Sequence, residues 1–360
     1  MNLSDVSTFL DLQKKAHDHK LKIITNDNLC LITYIKTRDN DFTDDFVRTA
    51  TGTIIDVTDM SIVCPSFPKT PEINIGLDRE TTNVLSDPGV AGEIKTQLVS
   101  FITDPDVRTE QLVDGTLIRM WFNAGEWRLS TNRGIDAFKV FWSSSKSFGI
   151  LFDETCAALK FEWREYAKKD MALFFVIQHP EIHNTFEFQR PTLYHIASFV
   201  KTSSKTWKEI DYDVGIPKPQ KYESDLHLYA HTPGWIFVHT KLFFRLKIMS
   251  SRYLYFKKIK GNQPNLSLRF IELLALTSLH NNNDYINNFF ACFSQDVYKN
   301  GFEIIKKQLV GFCNDLVRHP HSPVFIEYKI KHMPSETIYH FVLRMYDYAF
   351  ILEQIQTYIV

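Results

Sequence analysis

Several kinds of protein are excluded by what this sequence lacks. Its five cysteines, Cys30, Cys64, Cys156, Cys292 and Cys313, are odd in number, scattered, and nowhere spaced CxxC. That argues against a zinc site and against a disulfide framework, and fits a reducing, intracellular, cytoplasmic setting. Neither charge dominates: 41 Lys+Arg face 42 Asp+Glu for a formal net charge of -1. A global basic field is absent, so any nucleic-acid surface has to be a local patch. No apolar run approaches the ~18 residues of a membrane span, and MNLSDVSTFLDLQKK has no charged leader followed by an apolar stretch. The expectation is a soluble chain with no membrane partner. A Gly-rich phosphate loop is missing, as is GxSxG, which removes the P-loop and serine-hydrolase routes. His179 and His183 bracket Pro180, and a proline there breaks the helix that paired metal ligation would need, so no metal site is expected.

What is present is apolar bulk. Hydrophobic residues make up 44% and aromatics 14% of 360 residues, enough for two domains with filled cores. An opening helix is expected to start at Ser4 or Ser7 and to carry Phe9, Leu10 and Leu12. Strands follow through Leu21 and Ile23, a turn at Asn26-Asp27-Asn28, and Leu29 to Ile35, then Gly52 to Val57 and Ser61 to Cys64. Residues 76 to 107 read as a connection with a short helix at Glu93 to Phe101. Further on come a helix over SSSKSFGILFDETCAALKFEWREYAKKD, a buried strand MALFFVIQ, and a strand from Leu193 to Val200. Residues 201 to 230 read as a surface excursion around a short helix, and 231 to 262 as two strands. From Asn262 onward apolar residues recur at three-to-four spacing, which predicts an all-helical domain. The expected division is residues 1 to 260 and 261 to 360.

The centre of the chain is RTEQLVDGTLIRMWFNAGEWRLSTNRG, residues 108 to 134. Leu117, Ile118, Met120 and Trp121 form one strand, Asn123-Ala124-Gly125 the turn, and Trp127, Leu129 and Thr131 the return. Val113-Asp114-Gly115-Thr116 marks its entrance and Ser130 to Gly134 its exit. This hairpin resembles the nucleotide-binding hairpin of the covalent nucleotidyltransferases, in particular RNA ligases of the phage tRNA-repair type. TGTIID, IVCPSFPK, LVDGTLI, LSTNRG, LFFVIQHPE, PGWIFVH and RLKI stand in that family's order over residues 48 to 248. Pro68, Lys69 and Asn74 match the segment ahead of the hairpin, although Thr51 replaces the family's arginine. The resemblance implies an α+β nucleotidyltransferase domain, with mostly antiparallel sheets around a cleft and a helical C-terminal domain.

The same resemblance places the lost chemistry. The family's entrance reads Lys-x-Asp-Gly, and its lysine amine attacks a nucleotide α-phosphate; here that position is Leu112. Counting back from Pro180, the family's ribose-contacting glutamate falls on Val176. The metal-holding glutamate of the next motif falls on Pro233. A phosphoramidate needs an amine, and leucine has none to offer. Candidate phosphate contacts that remain are Asp114, Gly115, Arg133, Arg245 and Lys247, whose bland alternative is salt bridges in a polar cleft. Lys257, Lys258 and Lys260, with Tyr253, Tyr255 and Phe256, form a basic-aromatic run compatible with RNA contact, or simply a solvated strand edge. The expectation is a catalytically degenerate scaffold that binds RNA or a protein and needs no cofactor. The alternative is an active ATP-dependent RNA ligase or end-repair enzyme, using ATP and Mg2+ with a displaced lysine such as Lys69, or sealing pre-adenylylated ends.

Overall fold

A computed structural model describes residues 5–35, 40–41, 44–70, 72–74, 100–101, 103–219, 221, 233–241, 244–280, 282–294, 296–331 and 337–356. The short helix expected at Glu93 to Phe101 falls almost wholly outside them. The chain divides into two compact units: residues 1–182 with 188–254, and residues 183–187 with 255–360.

The first unit opens with α1 (Phe9–Asp18), whose cap is Thr8 rather than Ser4 or Ser7. The extended backbone of Thr8 lets its hydroxyl accept from Asp11 N–H at 3.1 Å. β1 (Leu21–Asn26) and β2 (Leu29–Tyr34) pair around Asp27, with α2 (Asp45–Ala50) after them. That second helix has no counterpart in the sequence reading; Asp44 caps it, and Phe46, Val47 and Ala50 bury its inner face. β3 (Ile54–Asp56) and β4 (Ser61–Cys64) complete a four-stranded sheet in the order β1-β2-β3-β4. β3 starts later than expected because Gly52 has φ +91° and its Cα lies against Ser66, where a Cβ would come within 2.4 Å of Oγ.

A second sheet has the order β11-β10-β9-β7-β8 and is antiparallel throughout. Its strands are β7 (Thr116–Asn123), β8 (Glu126–Thr131), β9 (Met171–Gln178), β10 (Thr192–Lys201) and β11 (Trp207–Ile210). One face of β9, with Leu173, Phe175 and Ile177, packs with Leu151 and Phe152 of α3 (Phe148–Leu159). The other, with Ala172 and Phe174, packs with Leu31, Ile54 and Cys64 of the first sheet. Burial on both faces is why MALFFVI is continuously apolar rather than alternating. The long helix expected to reach Asp170 is interrupted: Lys160 takes a left-handed φ of +53°, and only the single turn α4 (Trp163–Tyr166) follows. β11 occupies part of the stretch expected to be an excursion around a helix. The turn bond from Thr202 N–H to the Thr206 carbonyl folds the chain back onto β10.

The third sheet, β5-β13-β12-β6, combines β5 (Glu72–Asn74), β6 (Val107–Gln111), β12 (Gly234–His239) and β13 (Phe244–Met249). Only β5 pairs parallel there, so the strand pairing is mostly antiparallel as expected. The division between units falls inside α5 (Ser251–Lys260). The basic-aromatic run is therefore helical rather than a strand edge.

The second unit contains α6 (Leu266–His280), α7 (Asp284–Cys292), α8 (Asp296–Arg318), α9 (Pro323–Lys331), α10 (Ile338–Met345) and α11 (Tyr348–Gln356). Their three-to-four spacing delivers Phe270, Phe289, Phe302, Leu309, Phe341 and Ile351 to one core. Among the described residues no helix is long and apolar enough to cross a membrane.

Candidate functional site

The hairpin entrance is built by close backbone approach. β6 delivers the chain to Leu112, which is buried and donates its backbone N–H to the Gly234 carbonyl at 2.8 Å. Gly234 has φ +147°, and a Cβ there would meet the Ile248 carbonyl at 2.0 Å, so glycine is required. Gly115 is equally constrained: its Cβ would lie 2.4 Å from Val176 Cγ1 and 2.6 Å from the Ile177 carbonyl. The Asp114 carbonyl accepts from Gln178 Nε2, and its Oδ1 accepts from the Tyr253 hydroxyl, both at 2.8 Å. Leu112, Asp114, Gly115, Val176 and the Pro233-Gly234 turn thus gather at one place, with no amine at the Leu112 position.

Charge collects further along the same sheet. Strand alternation puts Arg108 and Glu110 of β6, Val238 and Ile236 of β12, and Arg245 and Lys247 of β13 in register on one face. Arg108 Nε lies 2.7 Å from Glu110 Oε1, and its Nη2 lies 2.6 Å from Glu209 Oε1. Arg245 Nη2 lies 3.4 Å from Glu209 Oε2, and its guanidinium sits 3.6 Å over the Phe67 ring. Burial pulls the Arg245 guanidinium below its ordinary range, with Glu209 and Glu110 opposing. For Arg108 burial acts the same way but is outweighed by Glu110 and Glu209, which raise it. Lys247 Nζ lies 3.4 Å from Glu72.

The four charges of Arg108, Glu110, Glu209 and Arg245 line a cavity of about 770 Å³ that Phe67, Trp207 and His239 also bound. It takes in Arg245; Leu112, Asp114, Gly115, Arg133, Val176 and Lys247 are not among its lining residues. The entrance and the charged cavity are separate places on the sheet. Arg133 follows Thr131, which pairs with Ile118 near the start of β7; it is exposed, and its guanidinium lies 4.8 Å from the Tyr34 ring, over which Lys69 Nζ also sits at 5.4 Å. Lys257 and Lys258 are exposed on α5, whereas Lys260 is buried and donates to the Gln263 carbonyl at 2.8 Å.

Sequence reasoning missed Arg108, Glu110 and Glu209. The first two alternate immediately ahead of LVDG, a pattern that places both on one strand face. Glu209 had no local signal, because its partners lie in another sheet. It also missed Arg119, fully buried in the strand LIRMWF. Arg119 Nη2 donates to the Thr131 carbonyl at 2.6 Å, and Nη1 donates to the carbonyls of Pro65, at 3.2 Å, and Gly52.

His179 belongs to a cluster of its own. A ligand atom from each of Glu154, His179 and Glu181 lies within 4.8 Å of the others, as a metal would require. Lys146 Nζ sits among them instead, 3.0 Å from Glu154 and 2.8 Å from Glu181. His179 Nδ1 accepts the Glu181 backbone N–H at 3.2 Å, which leaves the ring proton on Nε2, the nitrogen facing Glu154. Burial lowers the pKa of this histidine. An ammonium in the middle and a protonated Nε2 suit an ion-pair network rather than a cation site.

No protein-family model matches the chain. It is 21% identical over 225 aligned residues to a protein named immediate-early protein ICP-46 homolog, from Invertebrate iridescent virus 6. That alignment takes in 49% of this chain, which spans about half, 46%, of the length of that viral relative. Among solved structures, it is similar to an archaeal ATP-dependent RNA ligase at 12% identity and a TM-score of 0.39, covering 97% of this chain and 79% of that one. It is also similar to an RNA ligase from Naegleria gruberi solved with pyrophosphate, at 10% identity and a TM-score of 0.30, covering 42% of this chain and 51% of that one.

Proposed function

We propose that this chain is an RNA ligase-like protein that binds RNA without forming a covalent nucleotide adduct. The observation that carries this is Leu112. In the place where a nucleotidyl-transferring amine would stand, an apolar side chain is buried, and its backbone is tied to Gly234 at 2.8 Å. Val176 is buried beside Gly115, and Pro233 precedes β12 where a metal-binding carboxylate would be needed. A hard cation requires oxygen ligands, and these positions supply none from their side chains. Of the cations near the entrance, Lys247 faces Glu72 at 3.4 Å.

RNA is favoured as partner by exposed cations, Arg133 beside Lys69 and Tyr34, and Lys257 and Lys258 on α5. Guanidinium and aromatic groups side by side suit unpaired bases and their phosphates. A reducing, cytoplasmic setting agrees with five buried thiols and no disulfide; burial pushes Cys30, Cys156, Cys292 and Cys313 up to about 12.

Incubation with α-labelled ATP and magnesium, followed by denaturing electrophoresis, tests the chemistry. No labelled protein band is expected. An acid-labile band that disappears in Lys69→Ala would establish the active-ligase alternative with a displaced nucleophile. A gel shift with single-stranded RNA tests the partner: binding should weaken steeply with salt and fall in Arg133→Ala and in Lys257→Ala/Lys258→Ala. Absence of any shift at low salt would turn the assignment toward a protein partner.

A further inference from the structure

Glu209 reaches out of its own sheet to neutralise two arginines of another. Its carboxylate receives Arg108 Nη2 at 2.6 Å and Arg245 Nη2 at 3.5 Å and 3.4 Å, so two guanidinium groups converge on one anion. The Phe67 ring, 3.6 Å away, fixes the plane of the buried Arg245 guanidinium. Arg108 is fixed from behind by Glu110, its neighbour on the same strand face. Two oriented guanidinium groups around one tetrahedral or planar oxyanion are what phosphate recognition requires. The cavity beside them is large enough for a nucleotide-sized ligand, and the exposed Lys208 and Lys221 line it as well.

The anion already in place is carried on the outermost strand of its sheet. β11 is a four-residue strand at the sheet edge, paired among the described residues with β10, and residues 211–219 after it form no strand. Its leading end is tied to β4, where Ile62 N–H donates to the Ser204 carbonyl at 2.7 Å and Trp207 Nε1 donates to the Ile62 carbonyl at 3.0 Å, while Glu209 lies beyond those bonds, on the ladder to β10. Arg108 is likewise on an edge strand, β6, whereas Arg245 is on the inner strand β13, and β12 between them bonds to both.

We propose that Arg108 and Arg245 form a phosphate-binding site that Glu209 occupies as an internal competitor, and that a phosphate group of a nucleotide or of RNA displaces it. The two-arginine site stands on its own geometry; only RNA as a source of the phosphate rests on the function proposed above. While Glu209 holds the site, the affinity for an external anion is reduced by the fraction of time the site is open. Removing the carboxylate should therefore tighten binding rather than weaken it, the opposite of what a purely structural ion network does.

The experiment is isothermal titration of the full chain with inorganic phosphate, with AMP, and with a short oligoribonucleotide carrying a 5′-phosphate or a 5′-hydroxyl. Glu209→Gln should bind inorganic phosphate about tenfold more tightly than the wild type, the competitor having been removed. Adding Arg245→Met should abolish that gain. If Glu209→Gln does not fold, Glu209→Asp replaces it, since its carboxylate is one methylene short of spanning both guanidinium groups, and the same gain is expected. Equal affinities in wild type and variant overturn the proposal, as does absence of phosphate binding in both, or a gain that survives Arg245→Met. A larger gain for the 5′-phosphorylated than for the 5′-hydroxyl oligoribonucleotide identifies RNA ends as the source, and a matching gain for AMP identifies nucleotides; both support the site. Loss of RNA binding with the phosphate gain intact removes the RNA function and leaves this site standing. In the wild type, hydrogen exchange at residues 207–210 should rise when the phosphorylated ligand binds; bound ligand with unchanged exchange overturns the displacement.

Discussion

The Tyr253 hydroxyl donates to Asp114 Oδ1 at 2.8 Å, joining the first turn of α5 to the entrance of the hairpin. In sequence the two residues stand 139 apart. In the fold they are one contact, and it holds the Val113-Asp114-Gly115 backbone where Gly115 can press against Val176. The aspartate therefore has a structural use that persists without nucleotide chemistry. Tyr253→Phe should cost about 1.5 kcal/mol, the range for a hydrogen bond to a charged acceptor. Urea denaturation checks this: a lower midpoint at unchanged slope is expected.

Leu112→Lys alone should not create adenylylation. The new amine would replace a buried apolar side chain, and Val176 and Pro233, where the resemblance puts ribose and metal contacts, would still lack a carboxylate. Groups that act as one catalytic unit do not return activity singly. Labelled-ATP incubation of the variant reads the outcome, and a stable adduct would show that Val176 and Pro233 are not the positions that matter.

Much of the fold was legible in the chain. β1, β2, β4, the β7-β8 hairpin, β9 and β10 announce themselves by alternation, by turn residues, or by a continuous apolar run buried on both faces. The C-terminal helices do so by three-to-four spacing. What stayed hidden depended on contacts distant in sequence. WKEI carries no strand signal of its own, and it becomes β11 because β10 offers an open edge. SRYLYFKKIK alternates well enough to pass for a strand, yet Tyr253, Phe256 and Lys260 are buried at helical spacing. The entrance was readable because LVDG is local, whereas the charged cavity was not, because Glu209 meets Arg108 and Arg245 only across sheets.

Arg119→Met should destabilise the protein by about 4 kcal/mol. Exchanging a buried ion pair for apolar groups can be neutral when both charges leave together. Here the partners are the carbonyls of Gly52, Pro65 and Thr131, which cannot leave and would stay buried without their donor, at ~1 to 3 kcal/mol each. Because these carbonyls belong to the first sheet's flanks and to the hairpin exit, loss of the guanidinium should also loosen the turn at Gly52. Thermal unfolding monitored by near-UV circular dichroism measures the first effect, and amide exchange at residues 52–54 the second. A melting temperature within a degree or two of the wild type would mean that the carbonyls find other donors.

Stability should fall in mild acid through His195. This imidazole is buried, packs at a tilt against Phe175 and has Ser198 Oγ 2.9 Å from its Nε2; its Nδ1 has no hydrogen-bond partner among the described residues. Burial first, and then the charge of Lys218, bring its pKa down to about 4 from 6.5. The folded state therefore holds the neutral ring where the unfolded chain would take up a proton. Between pH 6.5 and about 4 the unfolded state binds more protons, so unfolding free energy rises with pH across that window. The contribution is fully present above 6.5 and is lost as pH drops through about 4, for a total of ~3 kcal/mol. His195→Gln keeps a polar group near Ser198 and removes the titration. Urea midpoints measured at several pH values across the window should slope for the wild type and flatten in the variant, and parallel slopes in the two proteins would place the acid sensitivity elsewhere, His179 being the next group to replace.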